Sequence, residues 1–217
     1  MPFSLRFVTM LLALAIPVLV PELSARAWAQ TTERSPRSAL IKQQPQTTAE
    51  DSLQEAEQLL QSGNEHFQRS DFRTALRLWE EALVRFRSDE IRAAFPQDGR
   101  QGEANALGNL GTAYGELGDY ERAIDFYQQT LDIKRELGHR LGEAQSLGNM
   151  GSAYGNLGDY ERAIDFHQQS LDIDREIGHR LGEGISLHNL GVAFWDLGNL
   201  SEAAQYLEAS AQVQESL

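Results

Sequence analysis

The chain has 217 residues, no cysteine and a formal net charge of −13 at pH 7, which excludes disulfides, thiolate metal sites and a cysteine nucleophile together. The acid is uneven: residues 102–217 hold 7 Lys/Arg against 19 Asp/Glu, a net of −12, whereas residues 1–101 hold 12 against 13, a net of −1. Such a surface repels phosphate backbones, so nucleic acid is not an expected partner; a basic or neutral partner fits better, with a plain solvated exterior as the other reading.

In chain order, the first segment predicts export. Arg6 supplies a positive start, Phe7 to Val20 an apolar run, and Ala27-Trp28-Ala29 a small-x-small cleavage site before Gln30. Pro17 interrupts the run, which is too short for a comfortable membrane span. Residues 1–29 are therefore read as a signal peptide, with an uncleaved anchor as the alternative. The mature chain is expected in the periplasm or outside the cell, and off the membrane once cleaved. Residues 30–50 are polar, contain Pro36 and Pro45 and show no periodicity, which predicts a flexible leader.

Residues 51–100 read as a divergent helical unit followed by a loop. Setting Gly63 beside Gly111 aligns Ala75 with Ala123 and Leu83 with Leu131, a spacing of 48 residues. Pro96, Asp98 and Gly99 mark the extra residues as a loop between Arg87 and Gln101. From Gly102 the chain then repeats with a period of forty, and the copies starting at Gly102 and Gly142 differ at nine of forty positions. Units are assigned to 101–140, 141–180 and 181–217. A fixed period of this length marks a solenoid, in which each unit buries its apolar face against its neighbours.

Two amphipathic helices are expected per unit. Leu107, Leu110, Tyr114 and Leu117 form one stripe, and Tyr120, Ala123, Ile124, Tyr127 and Leu131 the other. Gly118-Asp119 separates them, with Asp119 as N-cap, and Gly138 is placed as a left-handed terminator. Gly111 and Ala123 are expected where the two helices approach most closely.

These positions resemble the tetratricopeptide repeat, a helix-turn-helix unit whose Leu, Gly, Tyr, Gly, Tyr, Ala pattern falls on Leu107, Gly111, Tyr114, Gly118, Tyr120 and Ala123. The next unit repeats it at Leu147, Gly151, Tyr154, Gly158, Tyr160 and Ala163, and the last keeps Leu187, Gly191, Phe194, Gly198 and Ala203. The first unit has His66 and Ser70 at two signature positions. The forty-residue length is similar to the subclass in peptide-binding scaffolds that contain G-protein regulatory motifs. The resemblance implies an all-α, right-handed α-solenoid of about four repeats that binds a protein or peptide in its concave groove. The leader and repeats also resemble the N-terminal region of secreted bacterial proteins that carry a caspase-like domain. That domain is absent from this sequence, so a truncated or stand-alone regulatory partner of a secreted protease-type system is an alternative reading. Self-assembly is another: the last helix (Ala203, Leu207, Ala211) could pair with another copy, and an Arg-rich first unit (Arg69, Arg73, Arg77, Arg85, Arg87) could attract an acidic end.

On a helical wheel, Asn105, Asn109, Thr112 and Glu116 share a polar stripe, matched by Gln145, Asn149, Ser152 and Asn156, by Asn189 in the last unit and by Asn64 in the first. In tetratricopeptide arrays this face lines the groove. The expected site is an asparagine ladder of Asn109, Asn149 and Asn189 that offers amides to a peptide backbone; the other reading is that these amides bond within the array. His188 and Trp195 replace glycines of the inner units and are expected on the groove wall, Trp195 as an anchor or as local packing. No cofactor, metal or catalytic constellation is predicted. His139 and His179 lie one repeat apart, and the acidic residues of the second helices read as a solvated face.

Overall fold

The computed structural model describes residues 48–216. The segment read as a signal peptide, residues 1–29, and nearly all of that read as a polar leader lie outside the described residues. Among the described residues the fold is all-α: α1 (Ala49–Gln68), α2 (Phe72–Phe86), α3 (Asp89–Ala94), α4 (Pro96–Glu116), α5 (Tyr120–Glu136), α6 (Arg140–Asn156), α7 (Tyr160–Glu176), α8 (Arg180–Asp196) and α9 (Leu200–Glu215). The pairs α1/α2, α4/α5, α6/α7 and α8/α9 are hairpins; each packs on the adjoining unit, and α3 fills in between the first two. This is the α-solenoid that the period of forty predicts.

The hairpins follow from a three-residue turn. Leu117 closes α4, and Gly118 takes φ 77°, a left-handed conformation open to glycine without strain. The Asp119 amide then donates back to the Tyr114 carbonyl at 2.9 Å, while the Asp119 carboxylate accepts from the Arg122 amide at 3.2 Å and starts α5. One residue thus terminates one helix and caps the next. Asp159 does the same between α6 and α7. Ser70 holds φ 60° at the matching place in the first unit. Leu117, expected on the apolar stripe, is 52% exposed because it belongs to this turn.

Packing inside each hairpin is set by a glycine facing a large side chain. A Cβ on Gly111 would come 2.7 Å from the Tyr127 ring, and on Gly63, 2.4 Å from the Trp79 indole. The partners at Gly151 and Gly191 are His167 and Leu207. The side chain pressing on Gly111 is therefore the Tyr127 ring. Ala123 is fully buried and lies toward Gly115. Stacked pairs Tyr114–Phe126, Tyr154–Phe166 and Phe194–Tyr206, with ring centroids 5.4, 5.3 and 5.3 Å apart, repeat along the array.

Ion pairs join successive units. Glu103, only 3% exposed, accepts from Arg87 at 2.7 Å and Arg100 at 2.8 Å. Glu143 accepts from Arg135 at 2.9 Å and Arg140 at 2.5 Å, and Glu183 from Arg175 at 2.9 Å and from Arg180. Arg100 and Arg140 each also pair with a glutamate at the end of the following helix, Glu136 and Glu176. Arg180 meets Ser216 instead, at 3.0 Å.

The segment between Arg87 and Gln101 is not the loop that its Pro, Asp and Gly suggested. Ser88 caps α3, its hydroxyl accepting from the Ile91 amide at 3.3 Å. Pro96 then occupies the first turn of α4, where its missing amide is no loss. Gly99 is buried on α4, where an added Cβ would come 2.9 Å from Ile91. The eight extra residues thus become a short helix and a longer α4, which keep Arg87 within reach of Glu103.

Candidate functional site: a polar groove along α4, α6 and α8

The polar stripes of α4, α6 and α8 border four adjoining depressions. The first, of about 310 Å³, runs from Leu60 and Asn64 past Asn105 and Asn109 to Gln145 and Asn149. One of about 400 Å³ lies between Thr112 and Tyr127 on one side and Asn149 and Asn156 on the other. A third, of about 310 Å³, is bounded by Gln145, Asp174, His179 and Asn189, and a fourth, of about 210 Å³, by Ser152, His167, Asn189 and Asp196. Asn149 and Ser152 each border three of them, so the depressions form one continuous surface.

Within this surface the predicted residues differ in how free they are. The Asn105 side-chain oxygen accepts from Gln101 at 2.7 Å and from the Lys134 ammonium at 3.2 Å. Asn109 donates to the Asn64 oxygen at 2.8 Å, and the same oxygen accepts from the Trp79 indole at 3.0 Å. That amide belongs to a link between the first two units. Thr112 donates to the Gly108 carbonyl at 3.0 Å and accepts from the Tyr127 hydroxyl at 3.4 Å; Ser152 donates to the Gly148 carbonyl at 3.1 Å. Gln145, Asn149 and Asn189 make no side-chain hydrogen bond among the described residues and point at the depressions they line. His188 is exposed and Trp195 is 60% exposed, and neither borders any of the four depressions.

Three groups on the groove floor escaped the sequence reading. Lys134 is 8% exposed, and desolvation pulls its ammonium below the usual lysine range. One repeat later the same position is Asp174, 3% exposed, which accepts from Ser186 at 3.2 Å and pairs with the His179 Nδ1 at 3.0 Å. Asp174 is thus an exception to the solvated face expected for the acids of the second helices. His139, the counterpart of His179, instead accepts from the Gly142 amide at 2.9 Å through its Nδ1, so the same nitrogen faces a donor in one unit and a carboxylate in the next. The third group is His167, 3% exposed, whose Nδ1 is buried without a partner; burial lowers the imidazole to about 4. The available signal was a pair of substitutions among the nine differences, Lys134 to Asp174 and Tyr127 to His167, on the apolar stripe of the second helix.

Burial alone would raise the Glu103 and Glu143 carboxyls, but the hydrogen bonds and charges of their arginines outweigh it and hold both below the usual range. Around Asp174, serine and imidazole both bond the carboxylate and not each other, so the Ser186 hydroxyl is not paired with the His179 imidazole as in a serine–histidine–aspartate arrangement. Among the described residues no group of three or more His, Asp or Glu side chains is placed to hold a metal, and no helix is long and apolar enough to cross a membrane.

A family model of the tetratricopeptide repeat matches residues 54–136 and 139–216. No curated protein sequence matches the chain. Among solved structures, the apo form of RapI is similar at TM-score 0.69 and 18% identity, over 77% of this chain and 44% of that one. Aspartyl phosphate phosphatase F from Bacillus subtilis is similar at TM-score 0.69 and 14% identity, over 76% and 42%. The tetratricopeptide domain of Arabidopsis FLU is similar at TM-score 0.52 and 18% identity, over 54% and 99%. The chain spans less than half the length of the first two, and at these identities the likeness is one of fold. With the paired helices, the glycine turns and the repeated matches together, the chain belongs to the tetratricopeptide repeat family, whose fold is that of a protein–protein interaction module.

Proposed function

We propose that this chain is an exported, non-catalytic interaction module that holds an extended protein or peptide segment along α4, α6 and α8. The observation that supports it most is the pair of unengaged amides, Asn149 and Asn189, at equivalent places on one continuous groove. Each offers two donors and an acceptor to a passing peptide backbone. One hydrogen bond contributes only about 0.5–1.5 kcal/mol net, so two amides need further contacts from the same groove. The acidic array favours a basic or neutral partner over nucleic acid. A stand-alone partner of a secreted protease-type system is one form such a module could take.

The test is capture from an exported-fraction extract with residues 30–217, beside an Asn149→Ala/Asn189→Ala variant. Asn109 is left intact because it holds the first two units together. A partner retained by the parent and lost by a variant of equal melting temperature supports the groove, and equal recovery removes it. Sequencing the N-terminus of the exported protein should begin at Gln30.

Self-assembly has one observation in its favour: Leu181, Ile185, Val192 and Leu200 of the last unit are all more than 40% exposed. Of the five first-unit arginines expected to attract an acidic end, three are engaged, with Arg77, Arg85 and Arg87 paired to Glu81, Glu55 and Glu103. A concentration-independent monomer mass in light scattering would remove this reading.

A further inference from the structure

The ion-pair pattern of the array has one conspicuous exception. Arginines at its unit boundaries meet buried glutamates: Arg87 and Arg100 at Glu103, Arg135 and Arg140 at Glu143, Arg175 and Arg180 at Glu183. Lys134 is the only lysine among the described residues, is more than nine-tenths buried, and has no carboxylate partner there. Its one polar contact is the neutral oxygen of Asn105 at 3.2 Å, which leaves donors of the ammonium unused. It lies at the edge of the depression shared with Asn64, Asn109, Gln145 and Asn149. A buried cation without a counter-charge is unfavourable unless an anion reaches it.

At the equivalent position of the next unit the sign reverses. Asp174 lines the adjoining depression and is bonded to Ser186 and His179. Those two contacts use one direction on each oxygen, and a carboxylate can accept from about four. Gln145 and Asn149 of α6 border both depressions, so the positive and negative floors lie on either side of one helix in one groove.

We propose that the groove reads a charge pair: an extended peptide segment places an acidic side chain over Lys134 and a basic side chain over Asp174, with its backbone crossing α6 at Gln145 and Asn149. This rests on the peptide-binding reading above and adds the chemistry of the ligand and its alignment on the array. The neutral amides between the two charges hold the backbone, and the opposed charges fix where along the solenoid it sits.

A synthetic peptide array tests this, with one Asp and one Lys placed in both orders and at every separation in an otherwise neutral background. The probe is purified chain of residues 30–217. Capture should require both charged residues, favour one order and weaken with salt. Measured by fluorescence polarisation, Lys134→Met should weaken binding of the selected peptide about tenfold or more and abolish the preference for its Asp. Asp174→Asn, which keeps the shape of the side chain, should do the same for its Lys. Melting curves verify that both variants are folded, and the exchange Lys134→Asp/Asp174→Lys, if folded, should prefer the opposite order. Equal capture of peptides lacking either charge overturns the charge-pair proposal and leaves the groove as a backbone binder. Capture of no peptide at all overturns both this proposal and the groove reading.

Discussion

Gly111 and His167 show how single positions govern a hairpin. Gly111 is held small by the Tyr127 ring, so Gly111→Leu forces that ring aside and should cost about 1–3 kcal/mol. A thermal melt with no loss would show that the ring can move freely. His167 takes the place of Tyr127 one unit on, but without the hydroxyl bond that Tyr127 makes to Thr112. Its imidazole titrates at about 4 in the fold, against about 6.5 in an open chain. The unfolded chain therefore takes up a proton that the folded one refuses, and stability falls as pH drops from about 6.5 to about 4, by up to about 3 kcal/mol. His167→Tyr should flatten that part of the stability-against-pH curve, with its hydroxyl reaching Ser152 as Tyr127 reaches Thr112. Denaturant melts at several pH values would measure it, and an unchanged slope would place the titrating group elsewhere.

At the scale of helices, the boundaries of the regular units were readable because the Gly-Asp turns and the apolar spacing agree. The start of α4 was not. Pro96, Asp98 and Gly99 have poor helix propensity in isolation, but Pro96 falls in the first turn and Gly99 is wedged against Ile91, so packing overrides composition. Helix contacts also carry the Arg–Glu links that composition registers only as surface charge. Glu143→Gln keeps the shape but leaves Arg135 without an anion and Arg140 with Glu176 alone, and should destabilise the α5–α6 junction by about 1–2 kcal/mol. The contribution of this carboxylate is present above about pH 4.5 and fades as acid protonates it, because its arginines lower its affinity for protons in the fold. Equal melts of parent and variant at neutral pH would show the link to be idle.

For the whole molecule, the period of forty pointed to the solenoid, and the resemblance to tetratricopeptide arrays implied which helix face to examine. It could not show which groove residues are free, because that depends on contacts between units. Asn109 looked equivalent to Asn149 until Asn64, an entire unit upstream, was seen to hold it. Lys134 and Asp174 were hidden for the related reason that exposure of a charge is a tertiary property. Because units touch only their neighbours, local opening should be graded along the array. Hydrogen exchange should be slowest in α5 and α6, which are packed on both sides, and fastest in α9. Uniform exchange would mean that all four units open as one.

The last arginine of the series meets Ser216 where its predecessors meet glutamates. A chain joined only neighbour to neighbour behaves under load as a series of springs, each yielding in turn, and the weakest link goes first. Stretched between its ends, this molecule should lengthen in steps of one hairpin, beginning at α8/α9. A segment lying across α6 would bridge the stiff middle units, and so would be released only after the outer units had given way.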